Sequence, residues 1–190
     1  MKVEINKSMK LSEHFTLGEL CKTKHVTEDG NIPSHVSIEN LKRICENWLE
    51  DLRYSYNMLY VHSGVRPQSK VAGDCTLAPD PGAAPELGAA PASRKEEPIV
   101  INSGYRSPEV NRLAGGAKTS NHLSGCAVDI RCVGKEQMIR YASILLDIAD
   151  GTKQDYDELL LEQHGNICWL HFAVRPPSQG NRRKIDFLKG

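Results

Sequence analysis

Apolar residues recur at helical spacing in two stretches of the chain, and four shorter stretches are typical of strands. One helical stripe runs over 37–56, where Ser37 is placed to cap the helix. A second runs over 135–150, and Gly151 is expected to end it. The stretches with strand character are 99–102, 126–131, 159–163 and 168–174. Helices and strands are therefore both expected, in separate parts of the chain.

This order of elements predicts an α+β fold in a single domain over 1–190: a small, mainly antiparallel sheet covered on one face by helices. We expect an N-terminal helical part over 10–60 and a catalytic core over 98–178. Between them, the stretch 71–97 is rich in Ala and Pro and has no periodicity. Such a composition buries too little apolar surface to offset its ordering entropy, which predicts a flexible insertion.

Charge and hydropathy exclude several classes of function. Lys and Arg together number 24, as do Asp and Glu, so we expect no broad nucleic-acid surface. No stretch has the roughly 20 apolar residues of a membrane span, and no signal peptide is recognisable, which predicts a cytoplasmic location and no membrane insertion. The six cysteines form no CxxC pair, so reduced, buried thiols are expected. We expect a monomer.

Strand alternation places polar residues together on the sheet face that the helices leave open. By parity, Asp129, Glu162 and His171 lie opposite the apolar residues of their own strands. His122, on the segment that enters the Asp129 strand, can close the group. Trp169 shares this face and either walls a pocket or packs in the core.

Two imidazoles and one carboxylate form the ligand set of a catalytic zinc site with one open position. The sequence therefore predicts one Zn²⁺ held by His122, Asp129 and His171 on the open face. Glu162 is the expected proton-transferring carboxylate, with a salt bridge or support of a ligand as its alternative role. Arg106 is expected to bind a substrate carboxylate or stabilise an oxyanion, with a structural hydrogen bond as the alternative.

A resemblance to a known family is carried by three stretches: LSEHFTLGEL (11–20), SGYRSP (103–108) and GGAKTSNHLSGCAVD (115–129). They are similar to the zinc D-alanyl-D-alanine peptidases, whose fold is shared with the hedgehog signalling domain, and especially to small phage and prophage cell-wall peptidases. The resemblance implies the same three zinc ligands, and it implies Arg106 and Ser120 as substrate-binding residues. Ser120 has an alternative role in capping or orienting the segment that carries His122. The implied substrate is the peptidoglycan stem peptide, reached after release from the cell if the protein comes from a phage.

The chain departs from that family at Cys168, because the carboxypeptidase branch has an acidic residue three positions before its last histidine ligand. Glu162 must then serve as the base, or the site is weakened. The 71–97 insertion is a second departure. Three functions remain open: a D-Ala-D-Ala carboxypeptidase, an endolysin-like endopeptidase, and a non-catalytic zinc module that binds the wall or serves a structural role.

Overall fold

The computed structural model of the chain describes residues 6–28, 30–62 and 95–190. Most of the predicted insertion over 71–97 lies outside these ranges. The helices described are α1 (Leu17–Leu20), α2 (His35–Ile44), α3 (Glu50–Tyr56), α4 (Pro108–Leu113) and α5 (Lys135–Thr152). The strands are β1 (Ile101–Ser103), β2 (Ala127–Cys132), β3 (Glu158–His164), β4 (Ile167–Ala173) and β5 (Lys184–Lys189).

Helices α2 and α3 form one continuous helical run, because the π-helical segments Cys45–Leu49 and Asn57–His62 join and extend them. The predicted cap at Ser37 is wrong. Ser34 is the N-cap: it has extended backbone angles, and its Oγ accepts a hydrogen bond from the Ser37 backbone N–H at 3.1 Å. The run also continues beyond the predicted end at residue 56.

The end of α5 also differs from the prediction. Gly151 lies inside the last turn, and the helix ends at Thr152. Lys153 follows in the left-handed conformation, with φ of 61°, which is the backbone geometry that glycine usually supplies at a helix end. The side chain of Thr152 returns a hydrogen bond to the Ile148 carbonyl at 2.7 Å. Gly151 therefore does not terminate the helix.

The five strands form one sheet in the order β1-β2-β4-β3-β5, antiparallel throughout except for the parallel β3–β5 pair. The fold is thus α+β with a mostly antiparallel sheet, as the sequence predicts. Strand β5 was not predicted, because its side chains are all exposed and show no buried stripe. It lies beyond the predicted catalytic core over 98–178 and pairs with β3 along its whole length.

One face of the sheet packs against the helices. Val128, Ile130 and Leu170 are fully buried there, and the Trp48 ring lies 4.9 Å from that of Phe172. The residues between them point to the opposite face, so the predicted alternation is present. Within the described residues, no helix combines the length and apolarity needed to cross a bilayer.

Candidate metal centre

The structure brings His122, Asp129 and His171 together on the sheet face away from the helices. Asp129 and His171 are direct cross-strand neighbours on β2 and β4. His171 Nδ1 lies 2.9 Å from Asp129 Oδ1, and His122 Nε2 lies 3.2 Å from the same oxygen. All three residues are buried, and their possible ligand atoms lie within 4.8 Å of one another. Cross-strand pairing thus fixes two of the three, and the chain segment before β2 supplies the third.

A short 3₁₀ turn, Asn121–Ser124, positions His122. Ser120 caps this turn, because its Oγ accepts a hydrogen bond from the His122 backbone N–H at 3.4 Å. Gly125 ends the turn with φ of 69°, and a Cβ there would lie 2.4 Å from the Ser37 carbonyl oxygen. The structure therefore shows the capping role for Ser120. Ser120 also lines a cavity, as described below.

The second nitrogen of each histidine has its own partner, which leaves one nitrogen of each directed at Asp129. His122 Nδ1 donates to the Gly104 carbonyl oxygen at 2.5 Å, and that oxygen can only accept. His171 Nε2 lies 3.6 Å from Glu158 Oε2. Partners of this kind fix the tautomer and orientation of metal-binding imidazoles.

The donor set fits a zinc ion. In a tetrahedral site with metal–ligand bonds of ~2.0–2.1 Å, neighbouring ligand atoms are about 3.3 Å apart. The two nitrogen–oxygen distances, 2.9 and 3.2 Å, are close to this value. Nitrogen and carboxylate oxygen are also ligands that zinc prefers. His122 Nε2, Asp129 Oδ1 and His171 Nδ1 are therefore suitable zinc ligands.

The charges of the three groups are strongly coupled. Burial would raise the pKa of Asp129, but His122 and His171 outweigh it and hold that pKa well below its usual range. Burial would lower the pKa of His171, but hydrogen bonds to Asp129 and Glu158 outweigh it and raise that pKa to about 9. A metal ion must displace the proton of His171 to use its Nδ1, so metal binding releases a proton.

Arg106 lies on the loop after β1 and reaches Asp129. Its Nη2 donates to Asp129 Oδ2, its Nε donates to Ser103 Oγ at 2.8 Å, and its backbone N–H donates to the His122 carbonyl at 3.1 Å. Arg106 thus holds the carboxylate oxygen that does not face the histidines. The sequence predicted a substrate role, and the structure adds a contact with a candidate ligand.

Glu162 lies on β3 directly across from Trp169 of β4, on the face of the candidate ligands. Burial and the nearby Asp129 carboxylate raise its pKa, although His171, Trp169 and Arg106 act in the opposite direction. Among the described residues, Glu162 makes no salt bridge. A half-buried carboxyl with a raised pKa beside a candidate metal-ligand group is suited to proton transfer.

Sequence reasoning missed Glu158 and the buried ion network around it. Asn121 donates to Glu158 Oε2 at 3.0 Å, and Arg182 Nη2 lies 2.9 Å from Glu158 Oε1. Asn121 and Arg182 also donate hydrogen bonds to the carboxylate of Asp157, which is fully buried. Arg175 forms an ion pair with the same carboxylate. The missed signal was strand parity, because Glu158 lies four positions before Glu162 and shares its face.

Cys168 faces the helices rather than the candidate ligands. Cys168 lies opposite Cys132 in the β2–β4 register, and both are free, buried cysteines. Positions 168 and 171 lie on opposite faces of β4, because side chains alternate along a strand. Position 168 therefore contributes no group to this site.

Two cavities, of about 470 and 600 Å³, adjoin at Asp129 of the candidate ligand group. Both volumes fall in the range of small-ligand sites. The cavities share four lining residues: Arg106, Ala114, Asp129 and Trp169. The larger cavity is also lined by polar residues from the 3₁₀ turn and its cap, β3 and β4: Ser120, His122, Glu158, Glu162 and His171. Of the candidate ligands, Asp129 therefore lines both cavities, and His122 and His171 line the larger one.

Comparison with known proteins supports the resemblance seen in the sequence. Residues 77–155 match a family model described as Peptidase M15. The matched part is less than half of the chain; it contains His122 and Asp129 and ends before His171. The match supports a relation to the zinc metallopeptidases of this family, and the α+β architecture is consistent with it. No curated protein matches the chain.

Proposed function

We propose that this protein is a zinc metallopeptidase of the M15 type that hydrolyses peptidoglycan stem peptides, at a bond that contains D-alanine. The observation that carries the proposal is the buried group of His122, Asp129 and His171, in which both imidazoles direct one nitrogen at one carboxylate oxygen. The Peptidase M15 match supports the reaction class. The phage and prophage branch rests on the sequence motifs alone.

The three ligands would hold the zinc ion, with Arg106 and Glu158 supporting them. Zinc in such a site polarises a carbonyl group and activates water near neutral pH. Gly104 fixes the ring of His122 through its carbonyl oxygen, and Glu158 fixes that of His171. This support matters because a displacement of about 1 Å in a site lowers its rate severely.

Glu162 would accept a proton at its carboxylate and pass it to the leaving amine. Its raised pKa keeps the basicity needed for the first transfer and the acidity needed for the second. Arg106 keeps further N–H donors beyond those bonded to Ser103 and Asp129, and it lines both cavities. It would therefore bind a substrate oxygen beside the ligand group. Ser120, on the wall of the larger cavity, would contact the substrate backbone.

The placement of the cavities favours endopeptidase action. A carboxypeptidase needs room for only one residue beyond the scissile bond, whereas the two adjoining cavities, of about 470 and 600 Å³, share Arg106, Asp129 and Trp169 and together offer room for a longer peptide. The stem peptide would lie across Trp169, which both cavities share. Product masses from digested muropeptides identify the cleaved bond and decide between the two actions.

Hydrolysis of purified peptidoglycan tests the proposal. We compare zinc-loaded wild type, the Glu162→Gln variant, and Glu46→Gln as a control, because Glu46 is an exposed carboxylate that lines neither cavity. We expect the wild type and the control to release amines equally. Glu162→Gln should keep its zinc and lose about 10²–10⁴-fold in kcat.

Two outcomes contradict parts of this proposal. Full turnover by zinc-loaded Glu162→Gln shows that Glu162 is not the base. Tight binding of muropeptides by the wild type without any hydrolysis shows a non-catalytic zinc module, the alternative function.

A further inference from the structure

The smaller cavity has a basic wall that the metal chemistry does not use. This wall is formed by three residues of the loop after α1: Lys22, Lys24 and His25. The other lining residues include Asn102 and Ser103 of β1. The cavity reaches the ligand group through Arg106 and Asp129. A substrate bound at the ligand group can therefore extend along these lysines.

The loop that carries the lysines is fixed at both ends to the segment that carries Arg106. The Tyr105 backbone N–H donates to the Leu20 carbonyl at 2.7 Å, just before the loop. Asn31, just after it, donates to the Cys21 carbonyl at 2.9 Å and accepts from the Ser107 backbone N–H at 2.7 Å. The wall is thus anchored to the site, and its position does not depend on the loop alone.

Gly104 permits this close approach. A Cβ at position 104 would lie 2.4 Å from the Leu20 carbonyl oxygen. The glycine of the SGYR motif therefore lets the N-terminal segment pack directly on the Arg106 segment. The same packing brings Lys22 to the edge of the cavity.

The charges in the smaller cavity are unbalanced. Lys22 and Lys24 are exposed, and neither forms an ion pair with any residue that the structure describes. Asp129 is the one carboxylate among the described lining residues, and Arg106 and the two histidines already contact it. The cavity therefore offers positive charge to whatever enters it.

We propose that the smaller cavity is a subsite for a carboxylate-bearing part of the peptide substrate, and that Lys22 and Lys24 determine this specificity. The inference rests on the proposed function, because it assumes that a peptide lies across the ligand group. Stem peptides suit such a site, since they retain free carboxylates beside the peptide bonds.

Three synthetic stem pentapeptides test the proposal: L-Ala, γ-linked D-Glu, L-Lys and two D-Ala with both carboxylates free, and two analogues with either the D-Glu or the terminal carboxylate converted to a carboxamide. Hydrolysis by the zinc-loaded wild type is measured as kcat/KM. Binding is measured by calorimetry on zinc-loaded Glu162→Gln, alone and combined with Lys22→Gln and Lys24→Gln. A combination with Lys42→Gln and Lys135→Gln removes the same charge away from both cavities and serves as the control.

We expect one of the two carboxamides to bind and react about fivefold to tenfold less well than the free peptide, as two exposed ion pairs allow. The Lys22 and Lys24 substitutions should weaken the free peptide by the same factor and leave that carboxamide unchanged. The control should retain full discrimination. The difference should shrink as salt is raised, because exposed charges are screened.

The failure of this inference can be distinguished from failure of the proposed function. If the wild type hydrolyses all three peptides equally, the subsite is overturned and the peptidase stands. If neither the three peptides nor purified peptidoglycan is hydrolysed but the lysines still select the free carboxylate in binding, the subsite stands and the peptidase falls. If the Lys42→Gln and Lys135→Gln control loses as much discrimination between the free peptide and its carboxamide, the effect comes from overall charge and the subsite is overturned.

Discussion

Replacing Glu158 with Gln tests whether the buried network on β3 supports the metal site. Glu158 is ionised, because its close contact with His171 lowers its pKa despite partial burial. Gln keeps the shape of the side chain and removes the charge facing His171 Nε2. His171 Nε2 then faces a neutral amide, which is a weaker partner for holding the ring with Nδ1 directed at Asp129.

The expected loss of zinc affinity in Glu158→Gln is at the lower end of the range for residues that orient metal-binding histidines. Substitution of groups that orient metal-binding histidines lowers metal affinity by about 10–100-fold. The His171 Nε2 to Glu158 Oε2 distance is 3.6 Å, longer than a strong hydrogen bond, and Glu158 is shared with Arg182 and Asn121. We therefore expect zinc affinity to fall about tenfold, or ~1.4 kcal/mol.

Competition with a chromophoric chelator at pH 7.5 measures the zinc Kd of wild type and Glu158→Gln. Glu46→Gln is the control, because Glu46 is exposed and its ion pair among the described residues is with Lys42. Far-ultraviolet circular dichroism confirms that each variant is folded. A Kd that changes less than twofold in Glu158→Gln would refute the orienting role of Glu158.

The remaining predictions concern stability, measured as the free energy of unfolding in urea. Gly104→Ala should lower the free energy of unfolding by about 2 kcal/mol, because the new Cβ would meet the Leu20 carbonyl oxygen. Gly151→Ala, which faces open space on α5, should raise it by up to ~1 kcal/mol. Similar changes in the two variants would contradict the close packing at Gly104. Burial would raise the pKa of Asp157, but hydrogen bonds led by Arg182 outweigh it and lower it. The ionised form therefore stabilises the fold above pH ~3.9, and this contribution is lost as pH falls through the lowered pKa. Asp157→Asn should be less stable at pH 7 and lose less stability than wild type between pH 5 and 2; parallel pH curves would contradict the role of this carboxylate.

Much of the fold could be predicted because its determinants are local. Helix α5 and four of the strands lie within a few residues of their predicted bounds. Strand β5 could not be predicted in this way. Its side chains are exposed, and it exists through backbone pairing with β3, a long-range contact that leaves little pattern in the sequence.

For the candidate site, too, the local features could be predicted and the contacts between distant segments could not. Parity along single strands placed Asp129, Glu162 and His171 on one face without knowledge of the pairing. The contact of Arg106 with Asp129 and that of Arg182 with Glu158 depend on segments distant in sequence. The basic wall of the smaller cavity also depends on such a contact, because it requires the packing of Leu20 on Gly104.

Zinc stoichiometry is the most direct test of the central claim, that His122, Asp129 and His171 bind one catalytic zinc ion. Metal content and stem-peptide hydrolysis are measured together on purified protein, after chelation, and after zinc is restored. We predict one zinc per chain, loss of both metal and hydrolysis on chelation, and recovery of both with zinc, with no binding by His122→Ala. A protein that binds no zinc, or hydrolysis that persists after complete removal of metal, would contradict the account.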